Sequence, residues 1–561
     1  DPHVLYFGAN VLFKTVDGGN SWQTISPDLT REKYEVPASL GIFSALDPDR
    51  GTHRGVIYTI GPSFKSVNLI WAGTDDGLIH LTRDGGKHWR NVTPKALTPW
   101  SKVSLLEASH FDLGTAYAAI NRFRLDDLAP HIFRTRDFGA TWQEITHDIP
   151  EGEVVNAVRE DPVRRGLLYA GTEKGVYVSW NDGADWQSLR GNLPATAVRD
   201  LVVHGDDLVV GTHGRGFWIL DDIASLRQLE AQVTAADAHL FRPAVAYRLR
   251  RDLNTDTPLP PEEPAGQNPP DGAVLDYYLR TGPGEDAADP TDTDPGDSPG
   301  TPVTLEILDA KGQLVRRYAS DDRPEPVDPK ELAVPFYWVR QPRALSARPG
   351  MHRFVWDLRY PTPPVLERDY PISAIYRDTP REPLGPFALP GTYQVRLTAG
   401  GKTSTQPLTV KMDPRVKTPH EVLAGQLTLA RQMVAAIERD AAALKKAQAL
   451  RTQLQALPAS AREGALGGSV QALDGRLAAL IDAGERSKDS LTQMNGALAR
   501  VYETVEGADQ PPTTQVRKAA ADLERRLAVL LGQWNEAATA GVAGLDEQLR
   551  KAGLPALKVE R

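Results

Sequence analysis

Three acids stand where carboxylates could work as a pair. Asp75 and Asp76 are adjacent in Thr74-Asp75-Asp76-Gly77, and Glu173 heads Glu173-Lys174-Gly175. Cleavage of a glycosidic bond needs two carboxyl groups about 5–10 Å apart, with an aromatic ring to stack on the sugar. Trp100 could supply that ring. Arg122, Arg124, Lys174, His213 and Arg215 add cationic groups in short turns, so the same set also reads as a ligand-binding surface. Each has a plainer reading. Asp-Gly is a strong hairpin signal, which accounts for Asp75-Asp76-Gly77 without chemistry. His213-Gly214-Arg215 fits a glycine-rich turn with solvated charges. No catalytic group is assigned outright; Asp75, Asp76 and Glu173 are the alternative if the chain hydrolyses.

Much other chemistry is excluded by what is missing. With no cysteine among 561 residues, disulfides, thiolate metal sites and cysteine nucleophiles are all ruled out. The twelve histidines show no metal-binding spacing, so no metal or cofactor is expected. Neither a Gly-x-Ser-x-Gly elbow nor a P-loop is present. Gly211-Thr212-His213-Gly214-Arg215-Gly216 is glycine-rich but leads into a strand, so it is no phosphate cradle. The net charge of −9 argues against nucleic acid as a partner. No apolar run reaches the length of a membrane span.

The elements that must position these residues are repeats. Thr15-Val16-Asp17-Gly18-Gly19-Asn20-Ser21-Trp22 fits Ser/Thr-x-Asp-x-Gly-x-x-Trp, as do residues 82–89 and 135–142; residues 179–186 carry Asn181 in the Asp position. The Asp accepts hydrogen bonds from its own turn, Gly supplies positive φ, and Trp opens the next strand as an apolar cover. A short apolar strand precedes each copy: 5–8, 70–73, 116–119 and 168–171. A fifth unit, Leu208-Val209-Val210-Gly211 followed by Gly216-Phe217-Trp218-Ile219-Leu220, has no such turn and closes the series. Short strands at regular spacing predict an all-β repeat of four-stranded blades. Successive loops of an antiparallel blade alternate ends. Asn10, Asp75, Asp76, Trp100, Arg122, Arg124, Glu173, Lys174, His213 and Arg215 therefore share the end opposite the repeated turns.

The four turns resemble the Asp-box (BNR) repeats of sialidases, xyloglucanase-type glycoside hydrolases and sortilin-type ectodomains. Gly211-Thr212-His213-Gly214-Arg215-Gly216-Phe217-Trp218-Ile219-Leu220-Asp221-Asp222 is similar to the last blade of large bacterial exported BNR-repeat proteins. The resemblance implies a β-propeller, of which residues 1–225 are the C-terminal part, completed by an upstream polypeptide. It implies a secreted, periplasmic or cell-surface location. It also implies either a binding and scaffolding role toward a carbohydrate, protein or peptide partner, or a glycoside hydrolase. A sialidase is unsupported, because the Arg-Ile-Pro motif of that family is absent from the chain.

Three further segments follow. Residues 226–272 read as a proline-rich linker. Residues 273–412 alternate apolar and polar at period two over 273–279, 303–308, 314–318, 351–357 and 391–397. They predict an immunoglobulin-like sandwich, with Pro390-Gly391-Thr392-Tyr393 resembling the FlgD-type module, and 282–302 as an acidic solvated loop. Residues 413–561 predict a three-helix bundle. A capping box at Thr418-Pro419-His420-Glu421 starts a stripe through Leu423, Leu427, Ala430, Val434, Ile437, Ala441 and Leu444. A second stripe runs from Val470 to Val505 through Gly484 and Ser487, and a third from Val516 to Trp534.

Overall fold

The computed structural model describes residues 3–33, 39, 55–251, 262–263, 266–280, 302–373, 375–464, 466–482, 484 and 489–559. The acidic stretch expected at 282–302 lies almost wholly outside them. The chain forms two compact units, Asp1–Leu229 and Glu230–Arg561.

Among the described residues, the first unit is a series of five small antiparallel sheets. The first has three strands: Leu5–Gly8, Leu12–Thr15 and Gln23–Thr24. The second runs Ile57–Pro62, Ile70–Thr74, Ile79–Thr82 and Arg90–Asn91. The third runs Lys102–Ala108, Ala116–Asn121, Ile132–Thr135 and Gln143–Glu144. The fourth runs Val155–Glu160, Leu168–Thr172, Val176–Ser179 and Gln187–Ser188. The fifth has three strands again: Val198–His204, Asp207–Thr212 and Phe217–Leu220. The first strands of the second to fifth sheets neighbour one another. The second strands of the three four-stranded sheets are buried throughout. That is why they read as runs of small and apolar residues rather than as an alternation.

The four repeated turns share one geometry. The Thr15, Thr82 and Thr135 hydroxyls donate to Asp17, Asp84 and Asp137 at 2.6, 2.9 and 2.9 Å. The Ser179 hydroxyl donates to Asn181 at 3.0 Å. The same hydroxyls accept the amides of Gly19, Gly86, Gly139 and Gly183. The residue before each glycine also has positive φ, even where it is Phe138 or Asp182. Each glycine after the first meets the preceding sheet. A Cβ on Gly86 would lie 2.5 Å from the Ile25 carbonyl oxygen, and one on Gly139 would lie 2.6 Å from Val92 Cβ. The tryptophans stitch the same contacts: Trp89, Trp142 and Trp186 Nε1 donate to the carbonyls of Ile25, Val92 and Ile145 at 2.8, 2.7 and 2.7 Å.

The second unit pairs two sheets around one core that includes Leu275, Tyr277, Leu305, Ile307, Trp356 and Val395. One sheet orders Ala238–Leu240, Ala273–Leu279 and Gly350–Trp356. The other orders Ala246–Arg248, Lys402–Met412, Gly391–Ala399, Val303–Leu308 and Leu314–Ala319. Two of these strands come from inside the segment read as a linker. At three residues each they are too short to show a period in sequence.

The C-terminal region is helical: His420–Gln455, Gly467–Ile481, Leu491–Glu506, Thr514–Glu536 and Val542–Lys551 enclose one apolar core. The stripe drawn from Val470 to Val505 is two helices, not one. Asp482 ends the first in extended backbone, Gly484 has φ +85°, and the Ser490 side chain caps the second through the Gln493 amide. Ser487 lies outside the described residues. The capping box at Thr418 does not form, because its hydroxyl donates instead to the Asp509 carbonyl at 2.6 Å. The long helix is also rotated from the expected stripe. Leu427, Val434 and Ala441 flank the buried face, whereas Gln426, Met433 and Asp440 lie on it. Two polar residues in the seam disguise it as a weaker apolar pattern.

Candidate functional site

Because the sheets are antiparallel meanders, the connections between sheets lie at one end together with the second-to-third-strand turns of the second to fifth sheets and, in the three-stranded first sheet, the first-to-second-strand turn that holds Asn10. Every candidate residue read from the sequence falls in these segments. The structure shows how each is engaged.

Asp76 is 2% exposed. It accepts the Thr74 hydroxyl on one oxygen and the Arg31 amide on the other, at 2.8 Å. Its carbonyl takes the Arg31 Nε and the Trp100 amide. Asp76 is thus spent on holding the turn, and Trp100 sits beside it at φ +66°. Asp75 accepts the Val56 amide at 2.8 Å and lies 3.7 Å from Arg124. Burial holds the Asp75 carboxyl above its ordinary range, reinforced by Asp76 and opposed by the Val56 amide and Arg124. Arg122 pairs with Asp127 at 3.0 Å. Asp127 also meets His131, which pairs with Glu144 at 2.6 Å.

Glu173 is engaged on the other side. Its Oε1 accepts Arg199 Nη1 at 2.7 Å and Asn156 Nδ2 at 3.0 Å. Arg199 Nη2 lies 3.3 Å from His213 Nδ1. Asn156 in turn takes a hydrogen bond from Asn121 at 2.8 Å. Glu173 and His213 are therefore brought together through Arg199, and Asp75 with Arg124. No hydrogen bond or ion pair among the described residues joins Asp75 or Asp76 to Glu173. The Lys174 and Arg215 amides close their own turns on the Thr172 and Thr212 hydroxyls.

A set that the sequence did not reveal lies along the first strands. Each first strand of the second to fifth sheets carries a register shift at the same level: Ile57/Thr59, Val103/Leu105, Val155/Ala157 and Val198/Asp200. The extra residues are Tyr58, Ser104, Asn156 and Arg199. A bulge re-aims a side chain out of the pleat. Three of the four line one pocket of about 420 Å³, together with Thr59, Leu106, Arg159 and Asp200.

Charge there is balanced. Arg159 binds Glu107 at 2.8 Å, Asp200 at 3.0 Å and the Leu201 carbonyl at 2.8 Å. Burial opposes its charge, but the two carboxylates hold the guanidinium above its ordinary pKa. Lys102 Nζ stands 3.5 Å over the Tyr58 ring, a cation–π contact. The only sequence trace of this set is a recurring pair, Ile57-Tyr58, Val103-Ser104, Val155-Asn156 and Val198-Arg199, visible once the sheets are aligned.

His147, Asp148 and Asp185 bring one ligand atom each within 4.8 Å of one another. All three are exposed, and His147 already pairs with both acids at 3.0 and 3.4 Å. The trio is a solvated ion cluster. No helix of the described residues is long and apolar enough to cross a membrane.

No family matches the chain in sequence, and no curated protein matches it. Solved structures do resemble it in part. YCF48 bound to D1 peptide is 18% identical over 40% of this chain and 75% of that chain, with a TM-score of 0.23. YCF48 from Cyanidioschyzon merolae is 17% identical over 30% and 53%, TM-score 0.23. The GH74 xyloglucanase from Xanthomonas campestris is 16% identical over 74% and 80%, TM-score 0.28. Similarity at this level carries no residue-by-residue correspondence of sites.

Proposed function

We propose that residues 3–229 are Asp-box blades of a β-propeller and act as a binding module. Its ligand, a carbohydrate or a peptide, would sit in the pocket between the first strands. The observation that carries this reading is the fourfold bulge, which turns Tyr58, Ser104 and Arg199 toward one cavity. The carboxylates around it, Glu107, Glu173 and Asp200, are each held by an arginine, an arrangement suited to hydrogen-bonding a polar ligand. The propeller reading, an immunoglobulin-like character for the sandwich, and export to the periplasm, cell surface or medium rest on the sequence resemblance.

The test is binding of neutral oligosaccharides and extended peptides to the full chain by calorimetry. Tyr58→Ala and Arg199→Ala should weaken binding about tenfold or more with unchanged melting. Binding that survives both substitutions, or no binding in either ligand class, rejects the pocket. One observation favours hydrolysis as the second reading: burial raises the Asp75 carboxyl, as a general acid requires. Release of reducing sugar that Asp75→Asn abolishes would establish it.

A further inference from the structure

One connection at the candidate-site end differs from its counterparts. The second-to-third-strand turns of the second, fourth and fifth sheets span 75–78, 173–175 and 213–216. That of the third sheet spans 122–131. The longer connection folds on itself. Phe123–Leu125 forms a 3-10 turn, closed by Asp126 at φ +57°, and the Ala129 amide donates to Asp127 at 3.0 Å. No residue from 122 to 129 is buried, and Phe123 and Leu128 are more than half exposed. A segment that buries so little and is held mainly by polar contacts is one that opens locally.

Its base borders the pocket. The Phe123 amide donates to Asn121 Oδ1 at 3.1 Å, and Asn121 donates in turn to Asn156. Asn121 pairs in register with Lys102, whose Nζ stands over the Tyr58 ring. Arg124 lies 3.7 Å from Asp75, which accepts the Val56 amide just before Tyr58.

Its far end is fastened by His131. Nδ1 lies 2.6 Å from Glu144 Oε1, and Nε2 lies 3.1 Å from Asp127 Oδ2. A neutral imidazole has one N–H and can donate to only one of these carboxylates, whereas the imidazolium donates to both. The ring is 14% exposed, so water replaces neither bond readily. Other charges stand close by. Arg122 pairs with Asp127 at 3.0 Å. The connection that packs on the segment, through the Gly152 amide and the Leu128 carbonyl, carries Glu151, which is exposed, and Glu153, which accepts the Thr172 hydroxyl at 2.6 Å. The hydrogen bond to Glu144, then that to Asp127, hold the imidazole above its ordinary pKa against the cost of burial. This stabilisation is complete below about 6.5, the value of a free imidazole, and is lost as pH rises through the higher value of the fastened form.

We propose that residues 122–131 are a flap at the mouth of the pocket, latched by the His131 imidazolium between Glu144 and Asp127, and that loss of the His131 proton releases the flap and weakens ligand binding. The latched flap holds Asn121 and Asp75 where they border the pocket. A released flap must be ordered again when ligand binds, and that ordering costs affinity. The inference rests on the pocket as the ligand site, but the latch can be observed with no ligand present.

Amide exchange of the full chain is measured at about pH 5.5 and about pH 9, on either side of the histidine range, with rates corrected for the intrinsic effect of pH. The amides of 123–129 should open about tenfold more at the higher pH, the loss of one charge-assisted hydrogen bond. The repeated turn of the same sheet, 135–142, should not change. His131→Gln should give the faster exchange at both pH values. Glu144→Gln, at an exposed position, should remove most of the difference. Neutral oligosaccharides and extended peptides, titrated under the same two conditions, should bind the parent chain more weakly at the higher pH, by at most the same factor, and should bind His131→Gln equally at both. Flap exchange that is equal at the two pH values, or a pH effect that survives both substitutions, overturns the latch. A pH-dependent latch with pH-independent binding overturns its coupling to the pocket. No binding in either ligand class, with the latch observed, rejects the pocket and the gating with it.

Discussion

Replacing Gly86 and Gly19 by alanine separates the two reasons the repeated turn needs glycine. The positions are equivalent in the motif, and their φ values are nearly equal, +103° and +100°. The conformational penalty for a Cβ is therefore the same at both, about 1–2 kcal/mol. Their surroundings differ. A Cβ on Gly19 finds only Trp22 Cζ2, at 3.8 Å, whereas one on Gly86 falls 2.5 Å from the Ile25 carbonyl oxygen and 2.9 Å from Ile25 Cβ. Ile25 cannot give way freely, because its carbonyl also holds the Trp89 indole at 2.8 Å. Overpacking of this kind adds about 1–3 kcal/mol. Gly19→Ala should thus cost about 1–2 kcal/mol and Gly86→Ala about 2–5 kcal/mol. Gly139→Ala, whose Cβ would meet Val92 at 2.6 Å, should follow Gly86. Urea unfolding of each variant, monitored by tryptophan fluorescence, gives the comparison. Equal losses at Gly19 and Gly86 would refute the argument and leave φ as the whole requirement.

Three further outcomes follow from other parts of the molecule. Burial pushes the Asp440 carboxyl up to about 7, only partly offset by the Asn495 amide. Between the unfolded value near 4 and about 7, the unfolded chain ionises while the folded one keeps its proton. Stability from this group therefore falls as pH rises through that window and stays low above it. Asp440→Asn should be more stable than the parent by on the order of 2–4 kcal/mol at pH 8, with the gain vanishing toward pH 4; a pH-independent difference in urea melts would contradict this. Asp509→Ala strands Arg248, which is 3% exposed and bonded to Asp509 at 2.5 Å. It should cost about 3–5 kcal/mol, against less than about 1 kcal/mol for Asp522→Ala, which breaks an exposed pair with Arg525. Asp137→Ala removes the acceptor for the Thr141 amide and hydroxyl and the Thr135 hydroxyl. It should lower thermal stability by roughly 1–2 kcal/mol and leave ligand binding unchanged; a selective loss of binding would make the turn part of the site.

The sequence by itself determined the local frame. Ser/Thr-x-Asp/Asn-x-Gly-x-x-Trp closes on bonds between residues two and four apart, so four tight turns could be read from residue type and spacing alone. Strand alternation then put Asp75, Arg124, Glu173 and His213 at the end opposite those turns, since antiparallel connection leaves no other choice. Period-two segments likewise marked Ala273–Leu279 and Val303–Leu308.

Tertiary structure decided which groups at that end meet, and how. Arg199 joins Glu173 to His213 across two sheets, while Asp76 is consumed by its own turn. The bulges at Tyr58, Ser104, Asn156 and Arg199 arise from pairing between strands, because an extra residue exists only relative to a partner strand. Asp440 entered a helix seam that its chemistry disfavours, and only packing against Asn495 shows why a polar residue sits there. The open edge at Phe217–Leu220 is of the same kind. Four residues of aromatic and aliphatic sequence look like any third strand until the sheet is assembled and, among the described residues, no fourth strand pairs with them. Local hydrogen bonding is written within a few residues, whereas register, burial and edges belong to contacts between segments far apart in the chain.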